Sequence, residues 1–138
     1  MKKTKKKIPK NCKFYTVQEI KGFDKPTEGL FDLRENIDAL LGYCKFKRKK
    51  VLELGPASGF ITFYLETKGA KVTCVDLSIK KDKWDTIPHQ KKDWQKIQNK
   101  GMKDLSKVRN AFWFAHTQNQ SKATLIETHV NNLKKLKT

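Results

Sequence analysis

The stretch that most constrains this fold is VLELGPASG, residues 51–59, read together with VTCVDL at 72–77. Val51, Leu52 and Leu54 make a short apolar run carrying a single acid, Glu53. So apolar a run reads as a strand of a parallel sheet rather than an exposed edge. The chain then turns on a loop with glycines at 55 and 59. Residues 58–68 follow with Phe60, Ile61, Tyr64 and Leu65 on one helical face. Ser58 is the expected cap of that helix, and Gly69 closes it. A second apolar strand, 71–75, runs into another acid, Asp76. The result is a βαβ unit with a carboxylate near the end of each strand.

The flanks extend the alternation. KPTEG at 25–29 is turn-like, with Thr27 placed to cap a helix over 30–41. Leu30, Leu33, Ile37, Leu40 and Leu41 fall on one face of that helix, and Gly42 ends it. KFKRKK at 45–50 reads as a solvated turn before the buried strand. From Ser78 the pattern breaks into a long loop to residue 92, containing Trp84, Pro88 and His89. A helix over 93–118 follows, with Trp94, Ile97, Leu105, Val108, Phe112 and Ala115 as its stripe, and Phe112, Trp113 and Phe114 read as core. ATLIET at 123–128 is a third strand. Strands alternating with helices imply an α/β fold of Rossmann-like, three-layer αβα type, with parallel strands, right-handed crossovers and the spatial order third, second, first. The expected organisation is a disordered basic tail over 1–10, a leader with its helix over 11–50, and the ligand-binding domain over 51–138.

Composition narrows the class. Lysine and arginine number 31 against 14 acids, a formal net charge of +17. A charge of that size suits a polyanion such as RNA. However, Arg34, Arg48 and Arg109 are the only arginines, and the lysines are scattered along the chain, which favours a solvated surface over a base-reading one. Cys12, Cys44 and Cys74 are far apart and form no CxxC pair, so neither a metal site nor a disulfide framework is indicated, and a reducing cytoplasm fits. MKKTKKKIPK leads into no apolar segment, and no run approaches a membrane span.

Ligands of open parallel sheets sit beyond the carboxyl ends of the strands, which places the GPASG loop at the site. The spacing is Gly-x-x-x-Gly rather than GxGxxG, and Glu53 stands two residues before the first glycine. A carboxylate there repels a pyrophosphate but suits a cationic ammonium or sulfonium. Asp76 is placed to accept hydrogen bonds from ribose hydroxyls. A cationic nucleoside with a free ribose meets both demands, and S-adenosylmethionine is such a molecule. A nicotinamide dinucleotide is disfavoured by Glu53 and by the absent GxGxxG.

At these residues the chain resembles the class I S-adenosylmethionine-dependent methyltransferases. VLELGPASGF is similar to the family's first motif, the acid ending VTCVDL to its second, and PTEGLFDLREN to the leader of some bacterial members. The resemblance implies that Glu53 and the backbone of Gly55, Pro56, Ala57, Ser58 and Gly59 face the methionine part of the cofactor. Asp76 would take the ribose hydroxyls, and Leu77 would lie against the adenine. His129 and Val130 occupy the places where the family usually has an adenine-binding aspartate and an apolar residue. The family's sheet has seven strands and only three are readable, so the chain is expected to be the N-terminal portion of a longer enzyme or a truncated product. The apparatus that aligns a nucleophile with the methyl group is not found in it. A small-molecule methyl acceptor is the first expectation. The alternative is a basic RNA-binding or RNA-modifying module on the same fold.

Overall fold

The computed structural model describes residues 6–81 and 93–135. The expected positions Trp84, Pro88 and His89 lie outside them. In chain order the elements are α1 (Ile37–Leu40), β1 (Lys50–Leu54), α2 (Phe60–Thr67), β2 (Lys71–Asp76), α3 (Trp94–Gln118) and β3 (Thr124–Glu127). A 3-10 helix, Val130–Lys135, closes the series.

Among the described residues the three strands form one open, parallel sheet in the order β1-β2-β3. Consecutive strands are thus neighbours, as sequential βα units usually are. Register pairs Glu53 with Cys74 and Asp76 with Glu127. Because side chains alternate faces along a strand, Val51, Glu53, Val72, Cys74, Asp76, Leu125 and Glu127 share one face. The core lies on that face. Val72 and Cys74 pack with Phe63 and Leu65 of α2 and with Ala111, Phe112 and Ala115 of α3. The Phe63 and Phe112 rings meet at 5.5 Å. Leu52 and Leu54 point to the opposite face and are 58% and 56% exposed, so β1 is less buried than its composition suggests.

Phe14 and Ile20 of the leader complete the core, and Ile8, Cys12 and Phe46 pack against it. Phe114 is partly buried, whereas Trp113 is exposed, correcting the reading of 112–114 as uniformly core. The helix expected over 30–41 shrinks to Ile37–Leu40. Its first turns are taken by another pairing. Leu30 N donates to Tyr15 O at 2.9 Å, Phe31 O accepts from Val17 N at 2.8 Å, and Thr16 bridges Phe31. Backbone groups engaged there cannot also make helical bonds. Leu30 and Leu40 are consequently exposed. Thr27, the expected cap, instead accepts from Gln18 N at 3.0 Å and donates its own N–H to Gln18 O at 2.9 Å. Gly29 lies so close to this crossing that an added Cβ would stand 2.6 Å from the carbonyl carbon of Thr16.

Candidate functional site

The carboxyl ends of the three strands meet side by side. Gly55 N donates to Val75 O and Thr128 N donates to Asp76 O, each at 2.8 Å. Gly55, Asp76 and the residues after β3 therefore line one edge of the sheet, where a parallel α/β sheet holds its ligand.

The loop between β1 and α2 alternates in hand. Gly55, Ala57 and Gly59 have φ of +70°, +49° and +89°. Nothing lies within 4 Å of where a Gly55 Cβ would stand, so the backbone there is open to an approaching group. Gly59 is different: a Cβ would sit against the Phe63 ring, 2.7 Å from Cζ. Its lack of a side chain serves the packing of α2 on the core, not a ligand. Ala57 holds a left-handed conformation that costs an L-residue roughly 1–2 kcal/mol. Pro56 and Ser58 are buried.

Ser58 does not cap α2. Gly59 occupies the cap position, and no side chain caps it. Ser58 instead anchors the leader, its Oγ accepting from Tyr15 N at 3.1 Å and its carbonyl accepting from Gln18 Nε2 at 2.9 Å. The leader thus straps the loop from behind. Tyr15 and Phe31, whose rings lie 5.4 Å apart, belong to this strap.

Glu53 lies under the loop. It accepts from Thr62 Oγ1 at 2.6 Å and from the Cys74 thiol at 3.7 Å. Burial pushes its pKa above the usual carboxylate range, the two hydrogen bonds draw it back, and the charge of Asp76 raises it further. The Cys74 thiol is pushed up to about 12, chiefly by burial. It is an inert core group rather than a nucleophile.

Asp76 Oδ1 accepts from Leu77 N at 2.8 Å, and Oδ2 pairs with Arg109 Nη2 at 3.0 Å. Arg109 also donates to Leu77 O at 3.1 Å and pairs with Glu127 through Nη1. Its side chain is only 4% exposed, against 12% for Asp76 and 42% for Glu127. Its Nε has no hydrogen-bond partner among the described residues. One guanidinium thus faces two carboxylates, with Glu53 on the same sheet face, so the edge carries excess negative charge. A carboxylate offers about four lone-pair directions, which leaves two on Asp76 for further donors.

Arg109 and Glu127 were not among the expected site residues. The one available clue was periodicity, since Arg109 lies four residues after Leu105 and three before Phe112. It is a cation set inside the apolar stripe of α3. The remaining expected residues are placed as follows. Leu77 is half-buried at the end of β2, and His129 is half-buried with Nδ1 accepting from Asn131 N at 3.2 Å. Val130 is exposed at the start of the 3-10 helix. Arg34 binds Asp32 through Nε and Nη2, at 2.8 and 2.7 Å, and is no part of the strand-end cluster. His116 Nε2 is within 2.9 Å of Ala123 O, and its ring lies among Phe63, Phe112 and Trp113.

A cleft of about 640 Å³ opens elsewhere, lined by Gln18, Lys21, Ile37, Tyr64, Asn119 and Gln120 among others. It lies along α2 between the leader and the end of α3, and it contains none of the strand-end acids. Among the described residues no helix is long and apolar enough to cross a membrane. No protein-family model matches the chain, and neither a curated protein nor a solved structure matches it.

Proposed function

We propose that the chain is an S-adenosylmethionine-dependent methyltransferase or the cofactor-binding part of one, acting on a small-molecule acceptor. The observation that carries this reading is the pair Glu53 and Asp76, on one face of adjacent strands, flanking a left-handed loop whose first residue has open space before it. Glu53 is partly desolvated and next to a like charge, so a cation brought between the two acids relieves both penalties. The free lone pairs of Asp76 suit a ribose diol, while Arg109 and the Leu77 N–H fix the carboxylate's orientation. When bound, the cofactor supplies an electrophilic methyl group on sulfonium. The chain's part is to bind and orient it: Glu53 faces the cationic end, the 55–59 backbone borders the methionine portion, and Leu77 offers an apolar wall to the adenine.

Calorimetric titration with S-adenosylhomocysteine, with a nicotinamide dinucleotide as the control ligand, tests the reading. Asp76→Ala should weaken binding about tenfold or more, the range for a hydrogen bond to a charged group. No heat with S-adenosylhomocysteine, or equal binding of the dinucleotide, contradicts the assignment.

A further inference from the structure

The two ends of this sheet differ in charge, the amino end carrying an excess of cations around a single acid, Glu66, that is held by Ser121 and the Lys122 N–H. Glu53, Asp76 and Glu127 gather at the carboxyl end, whereas each strand is entered at the other end by a cation. Lys50 opens β1, Lys71 opens β2, and Lys122 stands two residues before β3. Lys50 and Lys71 are register partners, so their Cα atoms lie about 4.8 Å apart. The run 45–50 adds Lys45, Lys47, Arg48 and Lys49 to the same rim, all exposed. None of Lys45, Lys47, Arg48, Lys49, Lys50 and Lys71 forms an ion pair among the described residues.

The rim is held in place, not left as a solvated run. Phe46 packs against the core, Arg48 N donates to Gly69 O at 2.8 Å, and Lys49 N donates to Phe46 O at 2.9 Å. Lys71 N closes the turn on Lys49 O at 2.8 Å. Arg48 keeps a left-handed φ of +62° within it. Cations fixed by their backbone lose less freedom when they meet an anion than cations on a free tail. Two residues ahead of Lys45, Tyr43 also has a left-handed φ, +53°, and is 76% exposed. An exposed aromatic beside a cation row is the combination that holds unpaired bases, by stacking on the ring and by phosphate contact along the row.

We infer that the amino-terminal rim of the sheet is a docking surface for single-stranded nucleic acid. The phosphate backbone would run over Lys45, Lys47, Arg48, Lys49, Lys50 and Lys71, and a base would stack on Tyr43. Point-charge lysines neutralise phosphates without reading sequence, so binding is sequence-tolerant. Along the strands, at roughly 3.3 Å per residue, Lys71 lies about 16 Å from Asp76 and Lys50 about 10 Å from Glu53. The rim is therefore a surface separate from the proposed cofactor site, and it stands whether or not that proposal holds.

Fluorescence anisotropy with a labelled single-stranded RNA of mixed sequence tests the inference, using the full chain at several salt concentrations. Six phosphate contacts give a log–log salt slope near −4, an affinity loss of about 300-fold between 50 and 200 mM salt. The triple variant Lys47→Glu, Lys49→Glu, Lys50→Glu should at least halve that slope. The α3 variant Lys96→Glu, Lys100→Glu, Lys103→Glu, with the same change in net charge, should leave the slope near the wild-type value. Tyr43→Ala should weaken binding at least about fivefold, and Tyr43→Phe should restore it. Circular dichroism melts confirm that each variant is folded. Equal losses from the rim and α3 variants overturn the inference, as does preferential capture by vesicles of anionic phospholipid over RNA.

Discussion

Replacing Arg109 with methionine removes the one cation that, among the described residues, pairs with Asp76 and Glu127, and leaves a shorter, unbranched apolar side chain in its place. Arg109 is almost fully enclosed, and Asp76 is nearly so. Breaking a buried pair from one side costs about 3–5 kcal/mol, because the remaining charge stays desolvated and uncompensated. Glu127 is 42% exposed, so solvent screens its share, and the lower end, about 3 kcal/mol, is the expected cost. That is a large fraction of a domain's total of roughly 5–15 kcal/mol. Urea unfolding at neutral pH, followed by tryptophan fluorescence, should show a midpoint lowered by about 1–3 M. The cause is testable separately from the size. In the triple variant Arg109→Met, Asp76→Asn, Glu127→Gln no charge is left unpaired, and at least half of the loss should return. A cost below about 1 kcal/mol for Arg109→Met, or a triple variant no more stable than the single one, would refute the reasoning.

Other consequences are smaller in scale. Burial raises the folded-state pKa of Glu53 above its unfolded value, so the folded chain binds the extra proton, and stability falls as pH rises through the window between those two values. Glu53→Gln should accordingly raise stability at pH 7, with the gain disappearing below the usual carboxylate range, and should weaken S-adenosylhomocysteine binding; equal gains at pH 3.5 and 7 would contradict this. Ala57→Gly relieves a left-handed alanine at the cost of backbone entropy, and a net stabilisation of about 0.5–1 kcal/mol is expected in thermal melts, whereas a lowered Tm counts against the strain. Gly59→Ala drives a Cβ into the Phe63 ring and should destabilise by about 2–4 kcal/mol. A thiol-reactive dye should label exposed Cys44 quickly and buried Cys74 only on unfolding, and rapid labelling of Cys74 in the native chain would be inconsistent with its burial.

Much of the fold was legible because local pattern and tertiary contact agree. The strand around Val75 and the stripe from Leu105 to Ala115 became the expected elements; β1 and α2 formed where expected, but Leu52 is exposed and α2 buries Thr62, Phe63 and Leu65 rather than the expected face of Phe60, Ile61, Tyr64 and Leu65. Strand order followed from the tendency of consecutive elements to lie side by side. The leader was not legible. Leu30, Leu33 and Ile37 have helical spacing, but the backbone of residues 27–31 is spent on Tyr15, Val17 and Gln18, partners no local pattern reveals. Ser58 failed as a cap for the same reason, since its hydroxyl is claimed by a residue 43 positions away. At the candidate site, Glu53, Gly55 and Asp76 were readable because motif spacing fixes them. Arg109 and Glu127 were not, because the ion cluster exists only once α3 crosses the ends of β2 and β3.

The proposed site is defined by its location at the carboxyl ends of the strands and by its chemistry. Titrating the isotopically labelled chain with S-adenosylhomocysteine and following amide resonances by NMR tests both. The account predicts the largest shifts at Gly55, Ala57, Leu77 and Thr128, at the carboxyl ends of the strands. Shifts centred instead on Gln18, Tyr64 and Gln120, around the cleft along α2, or no shifts at millimolar ligand, would contradict it.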